Sequence, residues 1–285
     1  MSTIFLFPGQ GSQKPRMGEG LFERYPEWTG CASDILGYSI RRLCLEDPDK
    51  QLNMTTHTQP ALYVVNAMTY RARLEEVAPP DRVAGHSLGE FNALLAAGAF
   101  DFATGLKLVR QRAALMGRER GGAMAAVVGL TVASIDAVLS GSGFHSLDVA
   151  NYNTPLQTVL SGPEEDILRA RFAFEAAGAR IYLRLNVSGA FHSRYMAGAR
   201  AGFADFLAPF AFGPLRIPVV ANCDAEPYRE GAVAANLARQ LTSSVQWTRT
   251  LESFFSLDNP RFEEIGPSNV LTGLLSHMSA SMERQ

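Results

Sequence analysis

Short apolar runs alternate with longer, helix-like stretches along the first half of the chain. Residues 3–7 form a β-prone run that stops at Pro8-Gly9, and Val83-Ala84 form a second short run before a stretch rich in Ala and Leu. Between these runs the pattern predicts several helices, of which the clearest extends from Gln59 to Val77 with Pro60 at its first position. A further helix is predicted from Asp101 to about Arg118. Strands that alternate with helices indicate an α/β protein.

The pattern changes at Met124, where six short elements follow one another in about 65 residues. Their predicted order is strand, helix, strand, strand, helix, strand: Met124–Leu130, Thr131–Leu139, Leu147–Ala150, Leu156–Ser161, Glu164–Ala177 and Arg180–Leu185. This βαββαβ order is the ferredoxin-like arrangement. We therefore predict a small subdomain over residues 123–188, inserted into a larger α/β subdomain formed by residues 1–122 and 189–285. Within the insert, Asn153-Thr154-Pro155 is interpreted as a turn.

The α/β pattern resumes after the insert. The predicted elements are a helix from Arg194 to Leu207, a strand at Ile217–Ala221, a helix near Ala232–Leu241, a helix through Phe255, a strand at Arg261–Ile265 and a last helix after Ser268.

The composition excludes several classes of protein. Of the 285 residues 47% are hydrophobic and 19% charged, enough for a large buried core, and a net charge of −2 gives no electrostatic basis for binding nucleic acid or an anionic membrane. No apolar stretch approaches the ~20 residues that span a bilayer, and the N-terminal run is too short for a signal peptide. Three cysteines without a CxxC pair indicate a reducing compartment and no zinc site. We expect a soluble, cytoplasmic, monomeric protein.

The stretch Gly85-His-Ser-Leu-Gly89 has the G-x-S-x-G pattern of a nucleophile elbow, a sharp turn from a strand into a helix. In such a turn Ser87 would project its hydroxyl at a helix N-terminus, where free N–H groups favour a developing negative charge. The alternative is an ordinary N-cap serine flanked by glycines. The Gly-rich segment Gly9–Gln13 lacks the ending of a phosphate-binding loop, so nucleotide binding is only weakly indicated.

A serine nucleophile needs a base, and the chain has five histidines. His86 is adjacent to Ser87, but neighbouring side chains at an elbow point apart, so we interpret it as structural. His145 falls in the insert, and His57 and His277 lie in polar segments beside helices. His192 is the best base by elimination, although a lone loop histidine is also compatible with a surface position.

Arg112 lies in the middle of an apolar helix face, with Leu108 and Met116 four residues away on either side. A buried guanidinium needs an anionic partner. Two partners are possible from the spacing: a carboxylate of the same chain, for example that of Glu90, or the carboxylate of a substrate.

Several ordered segments together carry a resemblance to a known family. They are Phe7-Pro-Gly-Gln-Gly-Ser-Gln13, Thr58-Gln-Pro-Ala61, Gly85-His-Ser-Leu-Gly-Glu90, Gln111-Arg112, Gly189-Ala-Phe-His-Ser193, Val245-Gln-Trp247 and Gly266-Pro-x-x-Val-Leu271. This set resembles the malonyl-CoA:acyl carrier protein acyltransferases of fatty-acid and polyketide synthesis. The resemblance covers essentially the whole chain, and it implies an α/β-hydrolase-like core with a ferredoxin-like insert.

The resemblance also implies roles for individual residues in a ping-pong transfer of a malonyl group. Ser87 would attack the thioester of malonyl-CoA while His192 accepts its proton. The N–H groups of Gln10 and Leu88 would form the oxyanion hole, and Arg112 would bind the malonyl carboxylate. The main-chain carbonyl of Gln246 would orient His192 in place of an acidic residue.

The second substrate implied is an acyl carrier protein, whose phosphopantetheine thiol takes the malonyl group. No cofactor or metal is implied. Phe191 would fill the space that an α-methyl group needs, giving a preference for malonyl over methylmalonyl groups; an ordinary core aromatic would pack in the same way.

Three further functions stay open beside a discrete transferase acting in trans on polyketide synthases. The start at Met1 leads us to expect a discrete protein, and the segments Leu36–Ile40 and Gln59–Asn66 look more like the trans-acting polyketide enzymes. The alternatives are a malonyl transferase of fatty-acid synthesis, an editing acyl hydrolase, and a docking module without activity. Arg112 argues against the hydrolase, because neutral acyl groups offer it no carboxylate.

Overall fold

The computed structural model describes residues 2–282, which form two four-stranded sheets and the helices around them. The strands are β1 (Ser2–Phe7), β2 (Arg82–Gly85), β3 (Gly122–Val128), β4 (Asp148–Thr154), β5 (Gln157–Pro163), β6 (Ile181–Arg184), β7 (Val219–Val220) and β8 (Pro260–Glu264). The helices are α1 (Leu21–Arg24), α2 (Pro26–Leu36), α3 (Ile40–Leu45), α4 (Thr55–Leu74), α5 (Gly89–Ala97), α6 (Phe102–Met116), α7 (Val132–Gly141), α8 (Glu164–Ala176), α9 (Ala197–Leu207), α10 (Val233–Gln240), α11 (Trp247–Phe255) and α12 (Val270–Met282). Short 3₁₀ turns lie at Gln51–Asn53 and Arg194–Met196. None of the described helices is long and apolar enough to cross a membrane.

The larger sheet is parallel, with the strand order β7-β2-β1-β8. Its central strand β1 is apolar on both faces: Phe5 and Phe7 pack into one core with α4, α5 and α6, while Ile4 and Leu6 pack into a second core with α11 and α12. A strand buried on both faces reads as a continuous apolar run, and this explains the predicted strand at residues 3–7. Phe7 pairs with Gly85, so the loops after β1 and β2 meet at one edge of the sheet.

The smaller sheet is antiparallel, with the order β4-β5-β3-β6, and α7 and α8 cover one of its faces. The sheet and its two helices occupy residues 122–184 in the predicted order βαββαβ. The predicted fold class, an α/β protein with a ferredoxin-like insert, is thus confirmed. Strand β4 of the small sheet bonds to Val245, which lies just before α11. The N–H of Tyr152 donates to the carbonyl of Val245 (3.0 Å), and the N–H of Val245 donates to the carbonyl of Ala150 (2.8 Å).

Two local predictions are wrong. Helix α4 begins at Thr55, so that Pro60 is its sixth residue and not its first. The Thr58 hydroxyl donates to the main-chain oxygen of Met54 (2.9 Å) within the first turn, and a run of threonines hid the true helix start. Asn153 and Thr154 are the last residues of β4 and not part of a turn.

Candidate active site

The segment from β2 to α5 forms a tight elbow that places Ser87 at its tip. Ser87 has a φ of 51°, in the left-handed region that non-glycine residues rarely adopt. A Cβ atom on Gly85 would lie 1.9 Å from the carbonyl carbon of Gly89, and one on Gly89 would lie 1.9 Å from the main-chain oxygen of Phe7. Only glycine fits at either position, because the backbone of Gly85 lies directly against Gly89 and the backbone of Gly89 lies directly against β1. The Ser87 N–H donates to Asn222 Oδ1 (2.7 Å), which holds the strained residue in place.

The structure brings His192 to Ser87 across the cleft between the two sheets. Ser87 Oγ lies 2.7 Å from His192 Nε2, a hydrogen bond of the kind that activates a serine. His192 is buried and also has a positive φ, 57°, in the loop that leads from the small sheet back into the large subdomain. His86 has other partners: its Nε2 is 2.9 Å from Asn153 Oδ1, and its ring packs against Trp247.

The prediction that the carbonyl of Gln246 orients His192 is wrong. His192 Nδ1 instead lies 2.9 Å from the main-chain oxygen of Gln240 and 3.2 Å from that of Ser243. Gln240 is the last residue of α10, and a helix end leaves its final carbonyls without partners inside the helix. The Gln246 carbonyl accepts the N–H of Thr250 (3.0 Å) at the start of α11 and has no role at His192.

These contacts define the protonation of His192. Because both groups facing Nδ1 are carbonyl oxygens, Nδ1 carries the proton and donates, which leaves Nε2 free to accept the Ser87 proton. Burial, and then the positive charge of Arg112, lower the pKa of His192 to about 3. The imidazole is therefore neutral at neutral pH, the state that a general base requires.

Arg112 is fully buried beside the serine, and its guanidinium contacts only neutral groups. It donates through Nη1 to Gln59 Oε1 (2.6 Å) and through Nη2 to Gln240 Oε1 (2.8 Å) and Ser87 Oγ (3.1 Å). Burial lowers the pKa of Arg112 to about 10, so the group stays charged at neutral pH. Within residues 2–282 no carboxylate forms an ion pair with it, and Nε has no hydrogen-bond partner.

Glu90, the carboxylate considered above as a partner for Arg112, points into a separate set of donors. It accepts hydrogen bonds from the Tyr228 hydroxyl (2.7 Å), the Asn222 N–H (3.0 Å) and Gln240 Nε2. Arg112 thus keeps a positive charge without a directly bound anion.

The loop after β1 packs closely against the elbow. A Cβ atom on Gly9 would lie 2.4 Å from the main-chain oxygen of His86, so the backbone of this loop approaches the turn directly. Gln10 and Leu88 both line the same cavity as Ser87, and among the described residues neither main-chain N–H donates a hydrogen bond. Two free donors near one serine are what an oxyanion hole requires.

A cavity of about 310 Å³ opens above Ser87, between the two subdomains. The large subdomain contributes Ser87, Arg112, Phe191 and His192 to its walls, and the small sheet contributes Met124 and Asn151. The cavity brings together every predicted site residue except Gln246. Over the part of the chain that the structure describes, no group of three or more His, Cys, Asp or Glu residues could hold a metal ion.

Three polar residues of the site had no role in the sequence prediction: Gln59, Asn222 and Gln240. Gln59 belongs to a segment quoted for the resemblance, but its amide had no predicted partner. Asn222 follows β7 closely and Gln240 ends α10, so a polar residue next to the end of a predicted element was the available signal. Their partners are 53 to 153 residues away along the chain, which no local pattern reveals.

Comparisons with known proteins agree on one family. Residues 4–282 match the family described as "Acyl transferase domain". The chain is 50% identical over 281 residues to the "Polyketide biosynthesis malonyl CoA-acyl carrier protein transacylase PksC" of Bacillus subtilis, covering 98% of both proteins. It is also 50% identical to the "Polyketide biosynthesis protein PksE" of the same organism, but spans only 37% of that longer protein.

Solved structures show the same similarity in three dimensions. The malonyl CoA-acyl carrier protein transacylase from Burkholderia pseudomallei superposes with a TM-score of 0.96 at 48% identity, over 98% of both chains. A malonyl-transacylase solved in complex with a type II PKS acyl-carrier protein superposes with a TM-score of 0.93 at 36% identity, over 98% of this chain and 94% of that one.

Proposed function

The chain belongs to the acyl transferase family, and we propose that it transfers a malonyl group from malonyl-CoA to the phosphopantetheine thiol of an acyl carrier protein. One observation carries the proposal: a fully buried arginine, bound to neutral groups alone, lies 3.1 Å from the hydroxyl of an activated serine. A substrate with a thioester carbonyl and a free carboxylate a few bonds apart fits both groups at once. Malonyl-CoA is such a substrate, and PksC and both solved structures described above are named as malonyl transacylases.

In the first half-reaction Ser87 Oγ attacks the thioester carbonyl of malonyl-CoA while His192 Nε2 takes the hydroxyl proton. The N–H groups of Gln10 and Leu88 donate to the oxyanion of the tetrahedral intermediate. When the intermediate collapses, the C–S bond breaks, and the CoA thiolate leaves with the proton that His192 carried. The product is a malonyl ester on Ser87, with its carboxylate bound by Arg112.

The second half-reaction runs through the same groups in reverse. The phosphopantetheine thiol of the carrier protein loses its proton to His192 and attacks the Ser87 ester. The ester C–O bond breaks, Ser87 recovers the proton from His192, and the malonyl thioester leaves on the carrier. These proton transfers use only this chain's own residues, so the proposal involves no metal or cofactor and no second copy of the chain.

Phe191 supports a preference for malonyl over methylmalonyl groups. It is buried and lines the cavity together with His192. We propose that its ring takes up space that the α-methyl group of a methylmalonyl substrate would need. One methyl group in a pocket changes the transition-state energy by only ~1–3 kcal/mol, so the preference is partial.

The polyketide setting is supported by the relatives named for polyketide biosynthesis. We also propose that the enzyme acts in trans and in the cytoplasm. The main rival is transfer in fatty-acid synthesis, which uses the same site and differs only in the carrier protein. An editing hydrolase is less well supported, since it has no use for the charge of Arg112.

The first test is incubation of the purified protein with malonyl-CoA, followed by intact-mass measurement. We expect a covalent adduct of one malonyl group in the unmodified protein and none in Ser87→Ala. A Ser243→Ala variant, which keeps the main-chain carbonyl near His192, serves as the matched control and should load normally. If the unmodified protein forms no adduct, the proposed function is wrong.

A further inference from the structure

Glu90 is a fully buried carboxylate in the first turn of α5, three residues after the nucleophile. Oε1 accepts from the Tyr228 hydroxyl (2.7 Å) and the Asn222 N–H (3.0 Å), and Oε2 accepts from Gln240 Nε2. Burial raises the pKa of Glu90 to about 7, and the three hydrogen bonds act in the opposite direction. Above pH 7 the group is therefore an ionised carboxylate surrounded by donors, and it does not touch the substrate cavity.

Gln240 connects this carboxylate to the reacting groups. Its Nε2 donates to Glu90 and to the main-chain oxygen of Ser87 (2.9 Å), and its Oε1 accepts from Arg112 Nη2 (2.8 Å). Its main-chain oxygen accepts from His192 Nδ1 (2.9 Å). One glutamine residue thus contacts the nucleophile's backbone, the base and the guanidinium.

The orientation of the Gln240 amide follows from the carboxylate. An ionised carboxylate has no proton to donate, so the NH₂ end of the amide must face Glu90 and the oxygen must face Arg112. The reverse orientation would place an oxygen against Glu90 and an NH₂ group against the guanidinium. Both contacts would be repulsive, and burial of the two charged groups strengthens the repulsion.

We propose that Glu90 is a positioning residue, whose carboxylate fixes the side-chain amide of Gln240 and through it holds the Arg112 guanidinium towards Ser87. The negative charge then lies one amide away from the arginine. The Glu90 carboxylate offsets the buried positive charge of Arg112 without bonding to it, so the guanidinium stays available for a substrate carboxylate. The role of Arg112 in selecting malonyl groups rests on the proposed malonyl transfer, whereas the orientation of Gln240 and Arg112 by Glu90 does not.

Glu90→Gln tests the proposal, because it keeps the size of the side chain and replaces one acceptor oxygen with an NH₂ group. That group must face either the donors Tyr228 and Asn222 or the NH₂ of Gln240, which turns the Gln240 amide or breaks its contact. At about pH 8 we expect the rate of malonyl loading relative to acetyl loading to fall about tenfold or more, mainly through a higher KM for malonyl-CoA. Tyr228→Phe removes one bond to Glu90 and leaves the Gln240 contact, so this ratio should stay within about twofold.

A double-mutant cycle shows whether the effect passes through Gln240. Gln240→Met removes the amide and keeps the main-chain carbonyl that faces His192. In this background Glu90→Gln should change the malonyl-to-acetyl ratio by less than about twofold. The proposal would be overturned if Glu90→Gln lowered the ratio by as much in the Gln240→Met background as in the unmodified protein. It would also be overturned if Glu90→Gln left the ratio unchanged, or if it slowed loading from malonyl-CoA and from acetyl-CoA equally.

A crystal structure of Glu90→Gln separates this proposal from the proposed function. If the unmodified protein loads no malonyl group, the function is wrong, but the geometry is still tested. We expect the Arg112–Gln240 contact to be lost or the amide to be turned. If the side chains of Arg112 and Gln240 kept their positions in Glu90→Gln, the positioning role would be overturned. If Glu90→Gln does not fold, Gln240→Met alone should lower the ratio of malonyl to acetyl loading by the same factor.

Discussion

Truncation of Arg112 separates the binding of a malonyl carboxylate from the chemistry at Ser87. In Arg112→Ala the charged fork that faces Gln59, Gln240 and Ser87 is lost. A malonyl carboxylate bound in the cavity would then be buried without a partner, which costs about 3–5 kcal/mol. Malonyl loading should therefore slow by roughly 150- to 5,000-fold.

Acetyl loading should respond differently, because an acetyl group carries no charge for Arg112 to bind. The guanidinium donates to Ser87 Oγ, and its charge is the second largest cause of the low pKa of His192, after burial. Removing the guanidinium should therefore raise the pKa of the His192 imidazole and free the Ser87 hydroxyl from one hydrogen bond. We expect the acetyl loading rate to be unchanged or higher.

The assay is single-turnover loading of Ser87, followed by intact mass with malonyl-CoA and acetyl-CoA in parallel. Arg110→Ala is the matched control, since Arg110 lies on the exposed face of the same helix and, within residues 2–282, its guanidinium bonds only to the main-chain oxygen of Ile35. It should load both groups at the unmodified rate. Equal losses of malonyl and acetyl loading in Arg112→Ala would show that the arginine is structural and would refute the reasoning.

Other consequences of the site can be measured separately. The rate of acetyl loading should stay within about twofold from pH 8 to pH 5.5, because the pKa of His192 lies well below the usual 6.5; a tenfold fall, as for an ordinary histidine, would contradict this. Phe191→Ala should raise the methylmalonyl-to-malonyl loading ratio about 5- to 100-fold, and an unchanged ratio would make the ring an ordinary core residue. Gly85→Ala should lower the free energy of unfolding by about 3 kcal/mol or more in urea titrations, because its Cβ would overlap Gly89. Gly30→Ala, in a helix with open space around it, is its control and should be neutral or stabilising.

The sequence predicts the elements of the fold well where one physical cause dominates. Residues 3–7 are buried on both faces of a parallel sheet, so their apolar run has one simple interpretation. Asp101 accepts from the Thr104 N–H (2.7 Å) as a helix cap, and the predicted start of this helix is therefore right. The start of α4 is wrong because a proline at its sixth position resembles a first-turn proline when only the sequence is considered.

The chemistry of the site is predictable only in part. The elbow has a local signature, since Gly85 and Gly89 are required by contacts within the turn and with β1. The groups that hold His192 have no local sequence signature, because they are main-chain carbonyls at the end of α10 and just after it, and every residue has such a carbonyl. The resemblance implied this role for Gln246, whereas in the structure the carbonyls of Gln240 and Ser243 face His192.

The network behind Arg112 depends on contacts between distant segments. Gln240 lies 150 residues from Glu90 and 153 from Ser87 along the chain, so these groups meet only in the folded protein. A buried arginine that needs a partner was visible in the sequence. The sequence did not show that its partners in the protein are two amides and the Ser87 hydroxyl, with the carboxylate of Glu90 bound to one of these amides.

The most direct test of malonyl transfer starts from the isolated malonyl-enzyme. It is mixed with several carrier proteins, each with and without its phosphopantetheine group, and the malonyl group is followed by intact mass on both proteins. We expect the malonyl group to move from Ser87 to the phosphopantetheine thiol of a matching carrier faster than it is lost to water, and we expect carriers without this thiol to receive none. Release of free malonate at the same rate with every carrier and with none would contradict it, and would identify a hydrolase instead.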